Sequence, residues 1–137
     1  MKNETLSYIL RNLKLDKCEC VADGIYYVKK VVKQMIYSCE LGREKPNYSK
    51  YEFLVVAEKG VKKAIILNCD NSDLHWYVFK KFREQHVLSN ILRSGVIKKL
   101  WPKVKEVSCC HEWNEDKDKK YQMTKHLASL AGLQIKE

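Results

Sequence analysis

The residues of this chain best suited to chemistry lie between Tyr51 and Asp73, where Glu52 and Glu58 come early and Asp70 and Asp73 late. Carboxylates supply the hard oxygen ligands that magnesium takes, commonly one or two of them beside water and phosphate. Glu52, Asp70 and Asp73 are therefore the candidate set for metal-dependent catalysis. Asp70-Asn-Ser-Asp73 also has a plainer use, because such residues form turns and cap helices through nearby backbone groups. Softer ligands are present as well. Cys18-x-Cys20 and Cys109-Cys110-His111 offer donors for tetrahedral zinc, with Cys18, Cys20, Cys109 and His111 as the candidate ligands. The six cysteines contain no C-x-x-C pair, the spacing usual in zinc knuckles and thioredoxin-like sites. Small core thiols are the alternative reading.

Other catalytic patterns are missing. The histidines at 75, 86, 111 and 126 form no H-x-H or H-E-x-x-H motif, and the five glycines are spread singly, so no glycine-rich phosphate loop exists. The sequence implies no cofactor.

Charge is the second strong feature. The 26 basic residues exceed the 17 acids, giving a net charge of +9, a field that draws nucleic acid or an acidic protein surface. Only 4 of the 26 are arginines (26 − 4 leaves 22 lysines). Lysine is a mobile point charge that suits phosphates and reads bases poorly. The candidate nucleic-acid face comprises Trp76, Lys80, Lys81, Arg83, Lys98, Lys99, Trp101, Lys103 and Lys105, where aromatic rings lie beside cations and could stack on bases. Solvated helix faces with aromatics at the edge of the core are the alternative.

These residues need elements to position them. Leu6, Ile9, Leu10 and Leu13 recur at i, i+3, i+4 and i+7, predicting a short first helix with Asn3 as its cap. The doublets Tyr27-Val28, Val31-Val32 and Met35-Ile36 recur every four residues and favour a second helix over 24–39. The rival reading makes Asp23-Gly24 a tight hairpin turn between Cys18–Ala22 and Ile25–Val31. Residues 41–50, with Gly42 and Pro46, read as a loop. A hairpin follows at 51–58 and 61–69 around Glu58-Lys59-Gly60, and its Ala64-Ile-Ile-Leu run predicts burial on both faces. Leu74, Val78, Phe82, Leu88 and Leu92 predict a long helix, capped by Ser72 or Asp73 and ended by Ser94-Gly95. Val104–Cys109 alternates as a third strand, and a last helix stops at Gly132.

The expected order is helix, helix, strand, strand, helix, strand, helix. It predicts an α+β fold (α/β mixed), a small sheet of about three strands with a central hairpin, packed by three to four helices. At 137 residues the chain fits a single compact domain, 1–137. No apolar run approaches the roughly 20 residues that span a bilayer, and no secretory leader is visible, so a cytoplasmic protein without membrane contact is expected.

With these elements placed, segment 51–101 resembles the core of restriction-endonuclease-like proteins, including the very short patch repair type. The resemblance rests on the acid in Tyr51-Glu-Phe-Leu-Val-Val, on Ala64-Ile-Ile-Leu-Asn-Cys-Asp, and on the helix and apolar strand after them. It implies Glu52 as the first acid of a magnesium site. The second strand departs from the pattern, because its central acid falls on Leu67 or Asn68.

Three functions are consistent with these features. The first is a small basic intracellular nucleic-acid-binding domain, non-catalytic, that contacts phosphates through a lysine-rich face. The second is a small inhibitor or adaptor of the phage or mobile-element type, docked on a larger nucleic-acid-handling protein. The third is a degenerate metal-dependent nuclease. Catalysis ranks last because no complete set of reacting groups can be assembled.

Overall fold

A computed structural model of the chain describes residues 1–108 and 117–136. Its elements are helix α1 (Asn3–Asn12), strands β1 (Glu19–Ala22), β2 (Ile25–Ser38), β3 (Arg43–Glu58), β4 (Val61–Cys69) and β5 (Asp73–Val78), helices α2 (Val87–Arg93) and α3 (Val96–Leu100), strand β6 (Glu106–Ser108), helix α4 (Lys117–Leu130) and strand β7 (Gln134–Lys136). All seven strands join one sheet in sequence order. Strands β1 to β5 form an antiparallel meander, and β6 and β7 add in parallel after helical crossovers.

The fold is α+β with four helices, but its seven strands replace the expected three. The helix expected over 24–39 is strand β2, and Asp23-Gly24 turns the β1–β2 hairpin instead. The loop expected over 41–50 is largely β3. The long helix expected from Leu74 is strand β5, one 3-10 turn at Lys80–Phe82, and the short helix α2. Ser72 and Asp73 accordingly lead into a strand and cap no helix. Asn3 is the first residue of α1 rather than its cap, and its Oδ1 is buried without a hydrogen-bond partner.

The sheet is buried on both faces, as the apolar run in β4 predicts. Ala64 and Ile66 point into a core shared with Leu54, Leu74, Val107 and the helices α2, α3 and α4. Ile65 and Leu67 point into a second core with Phe53, Val55 and the α1 stripe Leu6, Ile9, Leu10 and Leu13. Lys62 Nζ donates to the Arg11 and Leu13 carbonyls at 2.9 and 2.5 Å, closing the end of α1 against the sheet.

Strands β2 and β3 outrun their neighbours. On the outer side of β2, β1 pairs only with Ile25 to Tyr27, and on the outer side of β3, β4 pairs only from Glu52 to Glu58. The two strands nevertheless stay in unbroken register out to Ser38↔Arg43. Past Val32, the last buried residue, they form a free two-stranded ribbon from Lys33↔Tyr48 to its tip. Pro46 is tolerated there because a strand with an open edge can lose a ladder donor.

Candidate functional site

The predicted acids take different roles. Glu52 lies directly across from Asn68, on the face covered by α2 to α4. Its Oε1 accepts a hydrogen bond from the Tyr27 hydroxyl at 2.8 Å, and its Oε2 accepts one from Asn68 Nδ2 at 3.1 Å. Burial, with Glu52 beside it, pushes the Tyr27 phenol up to about 12. Asn68 is 2% exposed and also fastens the next turn. Its Oδ1 accepts the Asn71 N–H at 2.8 Å, and its Nδ2 donates to Asn71 Oδ1 at 3.0 Å. Asp70 and Asn71 have φ of 51° and 61°, a left-handed pair within the three-residue hairpin loop 70–72, where the Ser72 N–H donates to the Cys69 carbonyl at 2.9 Å. Asp70 is thus an exposed turn residue, and Glu58 pairs with Lys63 at 2.8 Å.

Asp73 lies on the opposite face, under the start of α1. It is the cross-strand partner of Cys69, and His75 stands two residues further along the same strand, so all three side chains share one face. The His75 ring lies 3.3 Å from Asp73 Oδ2. Asp73 Oδ2 accepts the Ser108 hydroxyl, while the Ser72 hydroxyl, 3.0 Å from Asp73 Oδ1, has its closer acceptor in the Cys69 carbonyl at 2.6 Å. Burial pushes the His75 imidazole below its usual range, and the positive amino terminus adds to this while Asp73 opposes it. Among the described residues, Cys69, Asp73 and His75 are the one group of three ligand side chains with donor atoms close together, all within 4.8 Å. Sequence reasoning singled out Asp73 and missed its two neighbours. The signal was Asp73-Leu-His75, which puts both residues on one face once the segment is a strand.

The zinc candidates are not assembled in this way. Cys18 Sγ contacts the Lys14 carbonyl at 3.5 Å and Cys20 Sγ the Ala22 carbonyl at 3.3 Å. Cys109 and His111 lie outside the described residues.

The candidate nucleic-acid residues are spread over several elements. Trp76 on β5 and Arg83 line a cleft of about 630 Å³ with Arg93 of α2 and Lys119 and Lys120 of α4. Arg83 also sits over the Tyr77 ring at 5.5 Å and donates to the Val78 carbonyl. Lys80 and Lys81 are exposed, with Lys81 over the Phe82 ring at 4.9 Å. Lys98 and Lys99 on α3, and Lys103 and Lys105 before β6, are exposed away from that cleft's lining. Trp101 is 4% exposed, part of the core, and so offers no face to a base.

The β2–β3 ribbon was not singled out from the sequence. Nine large hydrophobic side chains are exposed among the described residues. Six of them, Val31, Met35, Ile36, Tyr37, Leu41 and Tyr48, lie on this one hairpin. The pairs Lys29↔Glu52, Val31↔Lys50, Lys33↔Tyr48 and Met35↔Pro46 alternate with the others and share a face. That face interleaves lysines with apolar and aromatic groups, and no described helix covers its outer part. No described helix is long and apolar enough to cross a membrane. Comparison with protein families, with curated proteins and with solved structures finds no match for this chain.

Proposed function

We propose that this protein binds nucleic acid through phosphate contacts, without reading base sequence and without catalysing a reaction on it. The observation that carries this reading is the projecting ribbon. The ribbon carries Lys33, Arg43 and Lys45 against the acids Glu40 and Glu44, and Lys29, Lys30 and Lys50 stand at its base, with Glu52 across from Lys29. A two-stranded β-ribbon fits the roughly 12 Å major groove of a B-form duplex. Lysines at 29, 33 and 50 would reach phosphates, while Tyr37 and Tyr48 supply contact area against sugar and base edges. The absence of catalysis is consistent with Glu52, whose two oxygens are already engaged by Tyr27 and Asn68.

The test is anisotropy of a labelled DNA duplex at low salt. Binding is expected, with charge reversal at Lys29, Lys33 and Lys50 reducing affinity at least tenfold. No binding at about 50 mM salt would sink the proposal, because phosphate contacts are strongest there. The adaptor reading would then take its place. One observation favours that second reading: both edges of the ribbon are open beside apolar side chains, a template to which a partner strand can add. Capture of a single protein from extract, lost on ribbon excision, is its test.

A further inference from the structure

The hairpin from β4 to β5 presents a thiol, a carboxylate and an imidazole together, and nothing in the nucleic-acid reading uses them. We infer that Cys69, Asp73 and His75 form a binding site for a divalent transition-metal ion of the zinc class, with one position open to solvent or a substrate atom.

The donor set argues for the class of ion. Thiolate and imidazole are ligands for zinc and cobalt, whereas magnesium and calcium take oxygen. Three protein ligands of mixed type with a fourth position left over is the arrangement of catalytic rather than structural zinc. The distances are close to those required. Bonds of about 2.0–2.3 Å at tetrahedral angles put ligand atoms roughly 3.3–3.7 Å apart. The Asp73–His75 contact is already 3.3 Å. The donor atoms of all three side chains lie within 4.8 Å of one another.

The surroundings support the same assignment. All three ligands sit on adjoining strands joined by a tight turn, so little entropy is lost in gathering them. The Ser108 hydroxyl holds Asp73 in place, as an outer partner commonly holds a metal-binding carboxylate. The thiolate and carboxylate together cancel the charge of the ion, which makes Cys69 essential to the site.

The experiment uses the full chain, stripped with a chelator and titrated with cobalt(II). One equivalent should bind and give both a thiolate charge-transfer band and the visible bands of a tetrahedral ion. Cys69→Ser should abolish the charge-transfer band, and His75→Gln should weaken binding at least tenfold. Cys20→Ser, on β1, should change neither. Ser108→Ala, a milder change at Asp73, should weaken binding several-fold and covers the case in which the ligand variants fail to fold. Saturating zinc should also slow alkylation of Cys69, read by peptide mass spectrometry. Absence of stoichiometric binding, a spectrum unchanged in both Cys69→Ser and His75→Gln, or alkylation indifferent to zinc would each overturn the assignment.

Discussion

Asn68 is one of the two positions, with Leu67, where the resemblance to endonuclease cores would place an acid, and its side chain explains why an amide suits this fold. One Nδ2 hydrogen points to Glu52 and the other to Asn71, while Oδ1 takes the Asn71 N–H. An aspartate could keep only the last of these. Asn68→Asp would face the Glu52 carboxylate across the ladder, losing a donor and adding a like charge. It should lower stability by about 2 kcal/mol at pH 7. Urea denaturation at pH 7 measures it. Tyr27 gives a second test of the same cluster. Its folded pKa, about 12, lies above the ordinary phenol value of 10.0, so its contribution to stability is complete below pH 10 and fades as pH rises toward 12. Ultraviolet titration should show one late-ionising tyrosine that disappears in Tyr27→Phe. Glu52 was legible in the sequence because an acid stands out in an apolar strand. Its partners were not, because Asn68 and Tyr27 become neighbours only through strand register.

At the scale of elements, α1 was legible from its apolar period, and the hairpin of β3 and β4 and the helix α4 from their apolar residues and a glycine at the turn or the end. Strand β2 was misread for a physical reason. Its doublets look helical, yet Tyr27 packs toward the core of α2 to α4 while Val28 packs toward that of α1. A strand buried on both faces produces adjacent apolar residues just as a helix does. The stripe from Leu74 failed similarly, since Leu74 and Val78, four apart, lie on one side of a strand as readily as of a helix. The turn at Gly24 distinguishes these readings experimentally. Its φ is +73°, and a Cβ there would stand 2.7 Å from the Ala57 carbonyl oxygen. Gly24→Ala should therefore cost about 2–3 kcal/mol, read as a shift in the denaturation midpoint. The ribbon should behave oppositely. Replacing residues 34–47 by Asn-Gly, so that Lys33 and Tyr48 flank a two-residue turn, should leave stability within about 1 kcal/mol of the parent. The same excision keeps Lys29, Lys33 and Lys50 but removes Tyr37, Arg43 and Lys45, so by anisotropy it should weaken duplex binding less than charge reversal at the three lysines does.

For the whole molecule, the question is whether the charge of +9 acts as a diffuse field or through one face. Composition revealed the surplus, but four of the candidate residues, Trp76, Lys80, Lys81 and Arg83, were placed on a long helix that the fold does not contain. The ribbon escaped notice because exposure cannot be read from residue type, and Val31, Met35 and Tyr37 look like core residues in a linear sequence. Salt dependence separates the two possibilities. Each phosphate neutralised on a duplex contributes about −0.9 to the slope of log affinity against log salt. If Lys29, Lys33 and Lys50 each hold one phosphate, changing all three to glutamine should make the slope shallower by about 2.7. Changing Lys98, Lys99 and Lys103 to glutamine should leave it nearly unaltered. Tyr37→Ala with Tyr48→Ala should weaken binding without changing the slope, because an aromatic contact releases no counterions. Equal slope changes from the two lysine sets would mean that the field as a whole attracts the duplex. The ribbon's apolar face would then be free for a protein partner, and the adaptor reading would follow from the charge measurement itself.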